Sequence, residues 1–327
     1  MLDIVFHLNK VECDTLIQNY ICNVLVKFIV LGVFDVKKIL IIGSQGMLGQ
    51  SLVKILSRDS SIPVVTAARY GADYNFDFMD DTSLCECIES INPDVVINAA
   101  AIVSLQHCES ESGMAYAVNT KLPGRLAELC HELGCYFIHI STDHYYCHDW
   151  DKKHLETDKI TIRNEYARTK YLGEQLVALH AQNLIVRTNI VGYRNNSLKP
   201  TFLEWCIQAF NRDEEMTLFD DFYTSSIYTD QLCIVLKDLL QIRPEGIVNI
   251  ASSTVSNKED FILALAKKIK GKEPRYKIGK VNQLLGVPRA DSLGLDVSKI
   301  EDLVGYRMPD LEKVIYDIDL DYKRMGY

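Results

Sequence analysis

Two stretches of the chain carry residue types spaced for chemistry. In Gly43-Ser44-Gln45-Gly46-Met47-Leu48-Gly49 a glycine recurs at every third position, directly after the apolar run Ile39-Leu40-Ile41-Ile42. The first glycine of such a turn permits a tight bend, the second lets backbone amides approach a pyrophosphate, and the third lets a helix pack closely on a sheet. A helix that starts there points its positive dipole end and its free N–H groups at anionic phosphate. The second stretch, Asn164-Glu165-Tyr166-Ala167-Arg168-Thr169-Lys170, reads as a helix start with Tyr166 and Lys170 four residues apart. Residues at that spacing share one helix face, so a phenol and an ammonium would be neighbours. Taken alone, that spacing describes no more than a solvated helix face, and its surroundings decide its meaning. A third group, His144, Cys147, His148 and His154, has metal-ligand residue types. Its spacing matches no closed zinc pattern and reads as a surface loop, so no metal ligands are assigned.

The elements that must position these residues begin at Lys37. Lys37-Lys38-Ile39-Leu40-Ile41-Ile42-Gly43 reads as strand and turn, and Leu48, Leu52, Ile55 and Leu56 then recur at helical spacing. Further strand-like runs cover 63–69, 94–101, 136–142, 184–189 and 246–251, with helical stretches at about 81–91, 112–134, 164–182, 201–211 and 228–241. Strands alternating with helices predict an α/β fold, a Rossmann-type doubly wound parallel sheet covered on both faces. The near-continuous apolar strands agree, because such strands are buried on both sides. Beyond about residue 190 the strand spacing loosens, which predicts a smaller substrate-binding region over 191–327, with some return to the sheet, after a dinucleotide-binding domain over 36–190.

The chain has 327 residues, 48% apolar and 24% charged, with a formal charge of −9. That is the profile of a soluble globular protein, and the acidic balance excludes a nucleic-acid backbone as partner. Among its ten cysteines, Cys130, Cys135, Cys206 and Cys233 fall in apolar periodic segments and read as small core residues, and Cys85 and Cys87 are too close for a redox pair. Reduced thiols imply a cytoplasmic protein. Residues 20–35 are apolar, but Asn23 and Lys27 interrupt them, and they fall short of the roughly 20 residues that a membrane span needs. Residues 1–35 are read as an appendage, with a natural start near Val36.

At the end of the second strand, an acidic residue would bind the ribose hydroxyl of NAD, whereas an arginine suits the additional phosphate of NADP. Here Arg69 occupies that place and no acid follows until Asp73. NADP(H) is therefore preferred over NAD(H).

The glycine turn, Asn98-Ala99-Ala100-Ala101, Ser141-Thr142-Asp143 and the Tyr166/Lys170 pair occur in the order found in the extended short-chain dehydrogenases/reductases. Within them, the chain resembles the dTDP-4-dehydrorhamnose reductase family of sugar-nucleotide reductases from about residue 37 to 320. The resemblance implies a catalytic set of Thr142, Tyr166 and Lys170. Tyr166 would protonate the carbonyl oxygen as hydride arrives, and Thr142 would orient that oxygen. Lys170 would stabilise the phenolate and bind the nicotinamide ribose. A free phenol has a pKa of about 10, and a nearby cation brings it toward the working range. The resemblance also implies that Ala99, Ala100 and Ala101 let the cofactor lie close over a strand end, and that Asp77 and Phe78 flank the adenine. Relatives are often dimers, some with Mg2+ at the interface, and no ligand set carries over.

This chain departs from the family where the sugar or nucleotide would sit. The usual tryptophan segment reads Arg187-Thr188-Asn189-Ile190, and Thr224-Ser225-Ser226-Ile227 and Arg289-Ala290 replace two further patterns. The implied activity is NADP(H)-dependent reduction of a nucleoside-diphosphate 4-keto sugar for surface polysaccharide precursors. The alternatives are an epimerase or dehydratase, and a cofactor-binding subunit without turnover. Thr142-Asp143-His144 lacks the acidic pair of the dehydratases, and the intact Thr, Tyr and Lys disfavour a silent subunit. The loop 144–160 is expected to close over the sugar, with Lys152, Lys153 and His154 offering polar contacts.

Overall fold

A computed structural model describes residues 36–58, 62–195, 199–283 and 286–325; the expected appendage at 1–35 lies outside the described residues. Apolar β-branched segments form β1 (Ile39–Ile42), β2 (Val64–Ala68), β3 (Tyr74–Asn75), β4 (Val95–Asn98), β5 (Tyr136–Ile140), β6 (Asn183–Arg187) and β7 (Gly246–Asn249). They pair in parallel in the order β7-β6-β5-β4-β1-β2-β3. Every residue of β1, β4, β5 and β6 is buried, as a sheet covered on both faces requires. The strand order reverses between β1 and β4, and ligands of such sheets bind beyond the carboxyl ends at that switch point.

The helices are α1 (Met47–Leu56), α2 (Asp81–Ile91), α3 (Leu105–Ser110), α4 (Ser112–Tyr116), α5 (Leu122–Leu133), α6 (Glu165–Val177), α7 (Phe202–Arg212), α8 (Thr229–Ile242), α9 (Lys258–Lys270), α10 (Ser298–Val304) and α11 (Leu311–Arg324). One core joins Leu52, Ile55, Leu236 and Ile300 from α1, α8 and α10 to one face of the sheet. A second joins Ile88 of α2 and Leu126 of α5 to the opposite face. A third is built by α7, α9 and α11 around Phe210, Phe261 and Ile318. The doubly wound α/β sheet is therefore as expected. Cys130, Cys135, Cys206 and Cys233 are buried and free. Among the described residues, no helix is long and apolar enough to cross a membrane.

The stretch expected as one helix over 112–134 is helical from 112 to 133, but its winding changes midway. Between α4 and α5 the backbone widens into a π-helical turn, Ala117–Lys121. The turn packs on α6 so closely that a Cβ at Gly173 would strike the Asn119 carbonyl. Buried Asn119 accepts from Ile102 N–H at 2.9 Å and donates to Thr169 Oγ1 at 3.2 Å, and Thr120 Oγ1 donates to the Thr169 carbonyl at 2.7 Å.

On its other side α6 is held by a buried ion pair. Glu174, fully buried, receives Arg187 Nη2 at 2.8 Å and Nε at 3.1 Å, Ser141 Oγ at 2.5 Å and Tyr145 OH at 3.0 Å. The Arg187 guanidinium also donates to the Glu156 carbonyl at 3.0 Å and lies 5.1 Å from the Tyr145 ring centre. Removing one partner of such a pair leaves the other charge buried and uncompensated. Arg187→Met is therefore expected to lower stability by about 3–5 kcal/mol, read as a lower urea midpoint. A loss below ~1 kcal/mol would show that Glu174 finds its hydration elsewhere.

Candidate active site

The glycine turn follows β1 directly. Gly43 has φ +84°, and a Cβ there would lie 2.7 Å from the backbone nitrogen of Ala100, so both backbone angle and space demand glycine. A Cβ at Gly49 would run into the backbone of Gly43 and Ser44. Gly46 caps α1, and no side chain takes the first-turn N–H groups, which leaves donors for an anion. Ser44 Oγ is buried without a hydrogen-bond partner among the described residues, an orphan that a phosphate oxygen would satisfy. A side-chain-free cradle, free helix amides and a lone buried hydroxyl fit the pyrophosphate of a dinucleotide. Within the turn, Gln45 is exposed and donates to the Gly71 carbonyl, Met47 is half-buried, and Leu48 packs into the core.

The neighbouring strand ends supply the rest of the cradle. Ala99, Ala100 and Ala101 are half-buried beyond β4, and Ala100 N–H donates to Asn98 Oδ1 at 3.1 Å. Arg69 stands exposed one residue past β2. Asp73 is tied back to that strand, accepting from Thr66 N–H at 2.9 Å and Thr66 Oγ1 at 2.7 Å. Phe78 packs edge-on against Phe76 with centroids 5.2 Å apart, while Asp77 is exposed and accepts from Met79 N–H at 3.0 Å.

Thr142 follows β5, and α6 carries Tyr166 and Lys170 against it. Asn164 caps that helix, its Oδ1 accepting from Ala167 N–H at 2.8 Å while its amide donates to the Pro288 carbonyl at 2.9 Å. The Tyr166 phenol hydrogen-bonds Thr142, and the His144 ring meets Tyr166 edge-on at 5.4 Å. Burial raises the Tyr166 pKa, with the Thr142 hydrogen bond opposing, so the phenol keeps its proton at neutral pH.

Lys170 is 1% exposed. Its Nζ donates to the Ile140 carbonyl at 2.7 Å and lies 3.3 Å from His139 Nε2. Burial lowers its pKa to about 8, opposed by the charge of Glu174. The donor count around His139 pushes the same way. Asn98 Oδ1 is committed to Ala100 N–H, so the Asn98 amide nitrogen faces His139 Nδ1 at 3.3 Å. A neutral imidazole protonates only one nitrogen, and whichever one it is meets another donor. The conflict is relieved when Lys170 loses a proton and accepts from Nε2–H. His139 sits in a run that reads as plain apolar strand, and only its pairing opposite Asn98 reveals it.

The loop after Thr142 is arranged differently from the expectation. His154 is buried, its ring stacked on Tyr146 at 4.0 Å. Lys153 Nζ donates to the Ser253 carbonyl at 2.7 Å, and Lys152 pairs with Asp158 at 3.1 Å. His148 and Trp150 of this loop face a second cavity, apart from the one that Lys153 lines. With Arg163, Arg289 and Asp291 they line a cleft of about 460 Å³. There Arg163 Nη2 lies 3.2 Å from His148 Nε2, and His148 Nδ1 lies 3.4 Å from Asp291. Among the described residues, no group of His, Cys, Asp and Glu is placed to hold a metal ion.

Comparison with known proteins agrees with this geometry. A dTDP-4-dehydrorhamnose reductase of Shigella flexneri is 31% identical over 186 residues, 56% of this chain and 60% of that protein. One from Aggregatibacter actinomycetemcomitans is 26% identical over 86% of this chain and 98% of its own length. A crystal structure of dTDP-4-dehydrorhamnose reductase from Bacillus anthracis in complex with NADP superposes with a TM-score of 0.78 at 20% identity, covering 88% of this chain and all of that one. Residues 37–318 match the family described as RmlD substrate binding domain, and the chain, with its glycine cradle and Thr-Tyr-Lys set on one edge of a doubly wound sheet, belongs to that family.

Proposed function

We propose that the chain uses NADPH to reduce a keto group on a sugar carried by a nucleoside diphosphate. The observation that carries this reading is the meeting of Thr142 and Tyr166 on the sheet edge that also bears the glycine cradle. β1, β4 and β5 are neighbours, so Gly43, Ala99 and Thr142 share one crevice. A bound nicotinamide supplies the hydride. The protein's part is the proton: Tyr166, protonated by virtue of its burial, gives its phenolic hydrogen to the carbonyl oxygen as the carbon is reduced. Thr142 holds that oxygen in place. Lys170, one turn along α6 from Tyr166 and an ammonium below its lowered pKa of about 8, is in this reading the cation that stabilises the phenolate left behind.

Two features support the finer assignments. Exposed Arg69 beyond β2, with Asp73 engaged by Thr66, suits a 2′-phosphate better than a free ribose hydroxyl. In the cleft, Arg163 and Arg289 offer cations to a diphosphate, and Trp150, 65% exposed, offers an aromatic face to a base. Two relatives are named for low-salt glycan biosynthesis and for spore coat polysaccharide biosynthesis, which supports the same substrate class. The region after residue 190 supplies the substrate side in this reading.

The test is NADPH oxidation against a panel of nucleoside-diphosphate keto sugars. Tyr166→Phe is expected to lower turnover by about 10²–10⁴-fold while NADPH still quenches protein fluorescence. Tight NADPH binding without turnover of any keto sugar would overturn the reductase reading in favour of a silent binding subunit. Arg69→Ala is expected to raise KM for NADPH about tenfold, the equivalent of ~1.4 kcal/mol, with little effect on NADH. Equal changes for both cofactors would remove the 2′-phosphate from the account.

A further inference from the structure

A chain of hydrogen bonds leaves Thr142 on the side away from Tyr166. Thr142 Oγ1 donates to Asp143 Oδ1 at 3.4 Å, and Asp143 Oδ2 accepts from Asn189 Nδ2 at 2.7 Å. Asn189 Oδ1 in turn accepts from Ser226 Oγ at 2.6 Å, and Ser226 Oγ accepts from Lys258 Nζ at 3.5 Å. Thr224 Oγ1 lies 3.1 Å from Ser226 Oγ, whose own proton is already committed to Asn189, so Thr224 is the donor there. An ammonium can only donate, and the Asn189 amide is oriented by taking the serine proton on its oxygen. From Lys258 onward, every donor therefore points toward Asp143. Asn189, Thr224 and Ser226 all fall in stretches where this chain departs from the pattern of its family.

The far end is built for a cation. Lys258, half-buried at the first turn of α9, holds its Nζ 4.7 Å from the ring centre of Phe202, 5.7 Å from Phe261 and 5.8 Å from Phe222. Rings stabilise an ammonium without accepting its protons conventionally. Among the described residues, its only acceptor is Ser226.

We propose that Lys258 is a positioning residue which, through Ser226, Asn189 and Asp143, sets the direction in which the Thr142 hydroxyl donates. The proposal rests on the reading above that Thr142 holds the substrate oxygen. Ionised, Asp143 can only accept, so it takes the Thr142 proton. Thr142 Oγ1 then receives the His144 N–H at 3.2 Å and, with its own proton on Asp143, has none for a carbonyl. Protonated on Oδ1, Asp143 donates to Thr142 instead, and the Thr142 proton turns to the substrate.

Both ends titrate near the working range. Burial raises the Asp143 pKa to about 7, against the Asn189 hydrogen bond and the Lys258 charge. Burial lowers Lys258 to about 8, against the charge of Asp143. The other groups facing the wire hold one state: Tyr166 of α6 stays protonated, burial pushes His144 down to about 4 with Arg289 acting the same way, and burial pushes Cys206 of α7 up to about 12. The sign follows. Lys258 favours ionised Asp143, so removing its charge keeps Asp143 protonated, and Thr142 donating, to higher pH.

The experiment is the pH profile of kcat and KM for keto-sugar reduction in the wild type, Lys258→Met and Lys258→Arg. The expected result is an alkaline limb displaced upward by about one pH unit in Lys258→Met, with KM little changed and the wild-type profile restored in Lys258→Arg. A uniform loss at all pH values, or an unmoved limb, overturns the proposal. Should Lys258→Met fail to fold, Ser226→Ala breaks the wire while keeping the cation, and a smaller shift in the same direction is expected. A carbon-13 NMR titration of the Asp143 carboxyl in wild type and variant reads the same shift without turnover. If wild type turns over no keto sugar, the reductase reading fails, while that titration still decides whether Lys258 controls Asp143.

Discussion

The Glu174–Arg187 pair is the constraint on which the site depends. Glu174 lies four residues beyond Lys170 and eight beyond Tyr166, so the three share one face of α6. Anchoring Glu174 to Arg187 of β6, and to Ser141 and Tyr145 beyond β5, fixes the rotation of α6 about its axis. That rotation places the phenol over Thr142 and sends the lysine under the sheet edge. A helix held by apolar contacts alone could slide or turn by fractions of a residue at little cost. A carboxylate bonded to three residues in a dry interior cannot.

The same edge shows how charge is distributed in a crowded site. Lys170 has a backbone carbonyl and an imidazole for company, and Asp143 answers to a lysine from another helix. Neither group holds its charge firmly, because burial opposes both. The buried ion pair of Arg187 with Glu174 sits behind them as scaffold.

Much of this was legible in the sequence, because alternating strands, the glycine turn and the i, i+4 pair each announce themselves within one element. α2 lies where its periodicity put it, the glycine turn follows β1, and Tyr166 and Lys170 share α6. What was not legible depends on partners distant along the chain. His139 looks like one polar break in a strand, Lys258 like an ordinary residue of a helix start, and His154 like a loop contact. Only the packing shows that the first faces Asn98 and Lys170, the second a cage of phenylalanines, and the third the ring of Tyr146. The widened turn inside the long helix was hidden for another reason. A π-helical turn shifts hydrogen bonds without changing residue type, so periodicity reads straight through it.

That widened turn carries a consequence for how the chain can vary. Ala117–Lys121 holds one more residue per turn than an α-helix would. Deleting any one of them would restore regular winding and rotate α4 and everything before it by about 100° relative to α5, since each α-helical residue subtends that angle. Asn119 would then leave the notch provided by Gly173. Point substitutions along this segment face the usual tests of size and polarity. A change in length faces a different one, and relatives that keep this contact should align through 117–121 without a gap.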